Sequence, residues 1–259
     1  MKFWKTRTVQ KRKTYAWRIG PLAFWVRKAG EDEWYVAFER SFSEHQLVIA
    51  RNMEKPESVP WNRYVFADDS DTIRFTPALP DRPVVVDSEL SLRILPGNNA
   101  LFYVSVPMWV RIHVGRGGEV LLCEIPTELL SNSWLGEPTG GELCYSLRTH
   151  AHRTITDYID SPNRIYCPVR IVNDAQTALQ FRKLCIHVEN LRVYLGKRHV
   201  LSNQVDITYV GETTPSQVVF SPEKPSIDAE CELITEERVP ASKSILKKSY
   251  SFLKYFANI

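Results

Sequence analysis

The sequence predicts a mainly β protein: two β-sandwich or jelly-roll-like units followed by a short C-terminal amphipathic helix. Three observations carry that prediction. Apolar residues recur at every second position through most of the chain, the period of a strand with one face on a core. Turn residues break these runs about every 8–12 residues, the spacing of a sandwich. In composition, 16 Pro outnumber 11 Gly, and Trp, Tyr and Phe total 29, a balance that suits strands and stiff connections.

Taken in order, Leu22, Phe24 and Val26 alternate, and an acidic turn after Gly30 leads to Trp34, Val36 and Phe38, which reads as a hairpin. Strands are expected at Arg63–Ala67, Thr72–Phe75, Val84–Asp87, Glu89–Leu95, Ala100–Val106, Met108–Val114 and Val120–Ile125. Gly115, Arg116, Gly117 and Gly118 join the last two as a second hairpin. Ser43–Asn52 and Pro126–Trp134 have room for short helices. After Cys144 a polar stretch reads as a strand end and connector. A further strand series follows at Tyr166–Asn173, Lys183–Val188, Leu191–Leu195, Val205–Val210 and Gln217–Phe220, with Asp174–Arg182 as its loop. The division this suggests is a β-rich domain over 1–155, a smaller sandwich over 156–222, an acidic linker over 223–242 and a basic amphipathic helix over 243–259. One continuous jelly-roll-like domain is the competing division.

On a helical wheel, Ile245, Leu246, Phe252, Leu253 and Phe256 share one face of that last segment, with Lys247 and Lys254 on the other. So short a helix is marginal alone and needs a surface to cover its apolar side. Its own domain, a protein partner and a membrane surface are the three candidates.

Charge is distributed unevenly. Residues 1–28 carry nine Lys or Arg and no acid, and residues 243–259 carry four Lys and no acid. With 33 bases and 30 acids in all, the stretch between holds 20 bases against 30 acids, a net of −10. Positive ends on a negative body suit an acidic partner or a membrane surface. Nucleic acid is the weaker fit, and would use the basic–aromatic start with Phe3, Trp4, Tyr15 and Trp17 as stacking residues. That start has no apolar run behind it, so it does not read as a secretory signal. The longest apolar stretch, Ala100 to Val110, is too short to span a bilayer, which takes about 20 residues. Five separated cysteines, Cys123, Cys144, Cys167, Cys185 and Cys231, have no metal-knuckle or dithiol spacing. Reduced structural thiols in a cytosolic protein are expected.

No phosphate-binding loop, dinucleotide fingerprint or nucleophile elbow occurs. The richest polar stretch is Glu137–Asp157. There, His150 and His152 would share one strand face, with Asp157 as a third ligand, a weak cupin-like metal alternative. Cys144 beside Arg148 is a poor nucleophile, because it alternates within a strand rather than topping a turn. A recognition groove lined by Trp134, Tyr145 and Arg148, with Glu142 and Thr149 hydrogen-bonding a ligand, is the third reading, and the plain alternative of an Arg–Glu pair tying loop to sheet is favoured over it. No catalytic residue and no cofactor is expected.

The runs LRILPGNNALFYVSVPMWVRI at 92–112, EIPTELLSNSWLG at 124–136, GELCYSLRT at 141–149 and PVRIVN at 168–173 resemble a prokaryotic family catalogued as domain of unknown function 432. The likeness covers roughly residues 85–210. It brings no catalytic residues. Through genes that neighbour those of small-conductance mechanosensitive channels, it implies a cytosolic accessory protein whose ends meet a membrane-embedded partner. The polar and glycine positions of its motifs, Pro96, Gly97, Asn132, Ser133, Trp134, Gly136, Glu142 and Arg148, are where the resemblance places a candidate functional surface, with turns and hydrogen-bonded corners of a β fold as the plain alternative.

Overall fold

A computed structural model describes residues 2–41, 54–66, 70–149, 152–155, 161–212 and 216–240, with only the backbone given at 2 and 88–90. The chain is mainly β, 54% strand against 4% helix. It forms two compact units. Unit 1 comprises Met1–Ala78, Pro107–Leu129 and Asp160–Asn163, and unit 2 comprises Leu79–Val106, Leu130–Ile159 and Arg164–Ile259. The linear division at 155/156 therefore leaves parts of unit 2 on both sides. Side-chain periodicity reports that a strand exists but not which strand it pairs with.

Unit 1 holds two four-stranded antiparallel sheets. One is β2 (Thr14–Ile19), β3 (Leu22–Lys28), β4 (Glu33–Arg40) and β5 (Asn62–Val65), in that spatial order. The other runs β1 (Arg7–Thr8), β6 (Thr72–Ala78), β9 (Trp109–Val114) and β10 (Val120–Pro126). Both expected hairpins form, β3 on β4 and β9 on β10. Strand β9 shows the simplest alternation, with Val110, Ile112 and Val114 fully buried between half-buried Trp109, Arg111 and His113. The core is aromatic. Phe75 of β6 meets Trp17 at 4.8 Å, Phe24 at 5.2 Å and Phe3 at 5.5 Å between ring centroids. Each such buried ring contributes roughly 1.5–3 kcal/mol of transfer free energy. The other face of β3 is covered as well, by Val59 and Trp61 packing on Trp25. At one margin, Tyr64 of β5 hydrogen-bonds Cys123 of β10, and burial raises them to about 12 and about 11 respectively.

The basic N-terminus is partly consumed by this packing. Lys28 is fully buried, its Nζ donating to the Ser70 carbonyl at 2.9 Å and pairing with Asp71 at 3.0 Å. The Arg7 guanidinium donates to the Phe3 carbonyl at 2.8 Å and lies over the Phe75 ring. Phe3, Trp4 and Trp17, three of the four aromatic residues that the weaker nucleic-acid alternative would use, are core residues, and Tyr15 is half-buried.

Unit 2 contains β7 (Val84–Ile94), β8 (Asn99–Pro107), β11 (Ser131–Leu135), β12 (Glu142–Arg148), β13 (Arg164–Asn173), β14 (Leu179–Ile186), β15 (Val193–Leu195), β16 (Val200–Ser202), β17 (Val205–Tyr209), β18 (Gln217–Phe220) and β19 (Glu232–Thr235). One sheet runs β11-β12-β7-β14, and a seven-stranded sheet runs β18-β17-β13-β16-β15-β19 with β8 paired to β13. Strand β12 lies parallel to β7, and β13 parallel to both β16 and β17. Asn173, fully buried, donates its amide to the Ile94 and Thr177 carbonyls, both at 2.9 Å, and its Oδ1 accepts from the Ala175 N–H.

Four expectations change. Val84–Asp87 and Glu89–Leu95 are one strand, β7, which pairs with β14 on both sides of a register shift. Pro126–Trp134 holds strand β11 rather than a short helix, since Ser131–Leu135 finds β12 as a partner. The loop at Asp174–Arg182 already contains the start of β14 at Leu179. The acidic stretch 223–242 is not a free linker. Cys231 is buried, β19 pairs with β15, and Arg192 pairs with Glu236 and Glu237. The C-terminal helix expected over 243–259 and the helix at Ser43–Asn52 lie outside the described residues. Among the described residues no helix is long and apolar enough to cross a membrane.

Candidate functional site

The residues singled out on β11 and β12 fall on one sheet but not on one face. Pairing sets Trp134 opposite Leu143 and Asn132 opposite Tyr145 on one side, and Ser133 opposite Cys144 and Leu135 opposite Glu142 on the other. Arg148 ends β12, six residues from Glu142, a separation of about 20 Å along a strand. The expected Arg148–Glu142 tie is therefore not made. Arg148 is exposed and aligned with Asp87 of β7.

The side of β11 that carries Trp134 is the more open. Trp134 is 53% and Leu143 41% exposed, and no other aromatic residue among those described is exposed. The adjacent pair continues the patch. The Arg82 guanidinium lies 5.5 Å from the Tyr145 ring centre and donates to Asn132 Oδ1 at 3.3 Å, while the Tyr145 hydroxyl donates to Asp81 at 2.9 Å. Burial first, and then Asp81, raises the Tyr145 pKa, so the phenol stays a neutral donor.

The β11–β12 turn fixes the tryptophan. Its indole N–H donates to the Glu137 carbonyl at 3.1 Å. A Cβ at Gly141 would come within 2.5 Å of that indole nitrogen and of the Leu135 carbonyl oxygen. Glycine is required there by close approach rather than by torsion. Among the described residues β11 pairs with β12 alone and is the edge of its sheet, so the ring stands on an edge strand.

The opposite face holds a buried polar cluster that sequence spacing does not reveal. Cys144 and Cys185 pack together, the Cys144 thiol donating to the Glu142 carbonyl at 3.7 Å, and burial keeps Cys185 well above the ordinary thiol range. His187 beside them makes a 2.9 Å contact from Nδ1 to Glu189 and a 3.6 Å contact from Nε2 to Glu142. Cys144 is inaccessible, which removes the nucleophile reading. Among the described residues no group of three or more His, Cys, Asp or Glu is placed to hold a metal ion. Of the cupin-like triplet, His150 and Asp157 lie outside the described residues. The His152 backbone bridges Tyr103, with Tyr103 N–H donating to the His152 carbonyl at 2.8 Å. The segment with Ile245, Leu246, Lys247, Phe252, Leu253, Lys254 and Phe256 is also outside them.

A family model described as "Protein of unknown function (DUF432)" matches residues 3–254. The chain belongs to that family. The match takes in both units and reaches far beyond the 85–210 stretch in which the resemblance is legible by eye. No curated protein and no solved structure matches the chain.

Proposed function

We propose that the chain is a non-enzymatic interaction protein that docks on a protein complex. Two elements would make the contacts: the Trp134 face of the β11–β12 hairpin, and the basic, apolar segment with Ile245, Leu246, Phe252, Leu253 and Phe256. Trp134 carries the reading. An exposed tryptophan held rigidly by its own turn, with Leu143, Tyr145 and an arginine around it, has the composition of an interface anchor. An edge strand beside it offers backbone pairing to an incoming strand. The first partner to test is the one the resemblance implies, a membrane-embedded mechanosensitive channel met from the cytoplasmic side. Self-association is the next.

Affinity capture on detergent-solubilised channel, with the full chain as bait, tests this directly. Retention should fall at least about tenfold in Trp134→Ala, the loss typical of a truncated anchor, and should be abolished by deleting Ser244–Ile259. Equal retention by all three baits, or none by the full chain, removes the reading.

A further inference from the structure

We infer that Arg74, Arg111 and His113, on the side of the β6–β9 ladder turned away from the ring cluster of unit 1, form a binding site for a phosphate group. The site lies wholly in unit 1 and does not depend on the Trp134 surface.

Register brings the three together. Arg74 of β6 is directly opposite His113 of β9, and Thr76 is directly opposite Arg111. Phe75 lies between Arg74 and Thr76 on the strand and points the other way, into the rings. Residues paired in this way share a face, with Cβ atoms about 4.5–5.5 Å apart and diagonal neighbours about 7–8 Å apart. Two arginines, an imidazole and a hydroxyl therefore occupy one four-cornered patch. Thr76 is buried as its floor, with Oγ1 2.9 Å from His113 Nε2, and Arg74, Arg111 and His113 stand half-buried around it. Glu124 of β10 lies opposite Arg111 and pairs with its Nε.

Arg74 is the group that asks for a ligand. Among the described residues it makes no hydrogen bond and no ion pair, so its five N–H donors are all available to an incoming acceptor. Its stem is nevertheless fixed. A Cβ on Gly118 would come within 2.7 Å of the Arg74 Cβ, so the backbone of the β9–β10 turn lies directly against it. The local field has the matching sign. Burial first, then Arg74 and then Arg111 lower His113 to about 4, and Glu124 opposes less than either arginine.

A guanidinium fork fits the paired oxygens of a phosphate or a carboxylate. Phosphate is the better match, because a carboxylate, Glu124, already takes the Nε side of Arg111. The further oxygens and second charge of a phosphate can engage both arginines and the imidazole together. Half-buried donors suit a terminal phosphate, inorganic or on a phosphomonoester headgroup, over one flanked on both sides by chain.

Inorganic phosphate added to the full chain at neutral pH, against chloride at equal ionic strength, tests the site by NMR. The Arg74 Nε–H and His113 ring signals should shift saturably with phosphate and not with chloride. Arg74→Lys keeps the charge but loses the fork, and should bind at least about tenfold more weakly. Arg74→Gln should show no saturable shift. Equal shifts in chloride, no shift at all, or undiminished binding by Arg74→Gln would overturn the inference. A second measurement needs no variant. Because a bound anion favours the imidazolium, saturating phosphate should raise the proton affinity of His113 about tenfold, and an unmoved midpoint counts against the site. Phosphatidylcholine vesicles carrying phosphatidic acid separate the two sources. Arg74-dependent retention on them makes the ligand a lipid headgroup, and phosphate binding without retention makes it a soluble phosphate; either leaves the site standing.

Discussion

Six of the seven tryptophans, Trp4, Trp17, Trp25, Trp34, Trp61 and Trp109, belong to unit 1, and all are buried or half-buried; the seventh, Trp134, stands exposed on unit 2. Unit 1 fills its interior with rings that contact one another. The interior of unit 2 is made largely of Val, Ile, Leu and Cys, pinned by buried amides such as Asn173 and Asn190. The difference separates two uses of one residue type. Trp4 and Trp17, as core fillers, lie within an aromatic cluster. Trp134 has no such cluster and is held instead by a carbonyl and a glycine, an arrangement that orients a ring without hiding it.

The contrast between the units is most exposed to disproof at the ring cluster of unit 1. Phe75→Ala empties the middle of that cluster and should cost roughly 3–5 kcal/mol, read as a lower urea midpoint. A loss below about 1 kcal/mol would mean that the rings are not the main support of unit 1. Asn173→Ala tests the polar pins of unit 2. It orphans two carbonyls and one N–H, at a cost of roughly 2–4 kcal/mol, and should raise hydrogen exchange at the ends of β7 and β13.

A smaller, pH-dependent effect belongs to unit 1. His113 is lowered to about 4, by burial first and then by Arg74 and Arg111, with Glu124 opposing; its Nε2 lies 2.9 Å from Thr76 Oγ1. The fold therefore favours neutral imidazole. This stabilisation is complete above the unfolded pKa of about 6.5 and is lost as pH falls from there toward 4. Allowing for solvent screening of a half-exposed ring, roughly 1–2 kcal/mol is at stake. His113→Asn should flatten the acid limb of stability against pH, and an unchanged limb would exclude the histidine as its source. The smallest expected effect is the most telling. Trp134→Ala should change stability by no more than about 0.5 kcal/mol, since the ring is not core. A large loss would return Trp134 to the structural class of the other six.

Strand existence was largely legible. Alternation located β3, β4, β9, β10, β13 and β17 to within a residue or two, because apolar residues recur at alternate positions in each. Some short or unevenly buried strands were not legible, although the four-residue β18 was. Strand β11 is only five residues, SNSWL, without two consecutive apolar alternations, and β19 hides in an acidic run because its partner β15 supplies the ladder. Among the candidate residues, Asn132 and Trp134 were brought together. Ser133 and Glu142 turned to the other face, since side chains one position apart on a strand point oppositely. The Cys144–Cys185–His187 grouping needed two strands that β7 separates, and no spacing in the chain encodes that.

By itself the sequence determined the secondary structure class, the hairpins and the polarity of the two ends, because alternation, turn residues and charge are local properties of the chain. Only the tertiary structure decided which tryptophan stays outside, which lysine goes in and where Arg238 and Val239 are fastened. Those outcomes depend on pairings between strands far apart in sequence, such as β7 with β12 and β15 with β19. A period-2 pattern gives each strand two faces and leaves its neighbours unspecified.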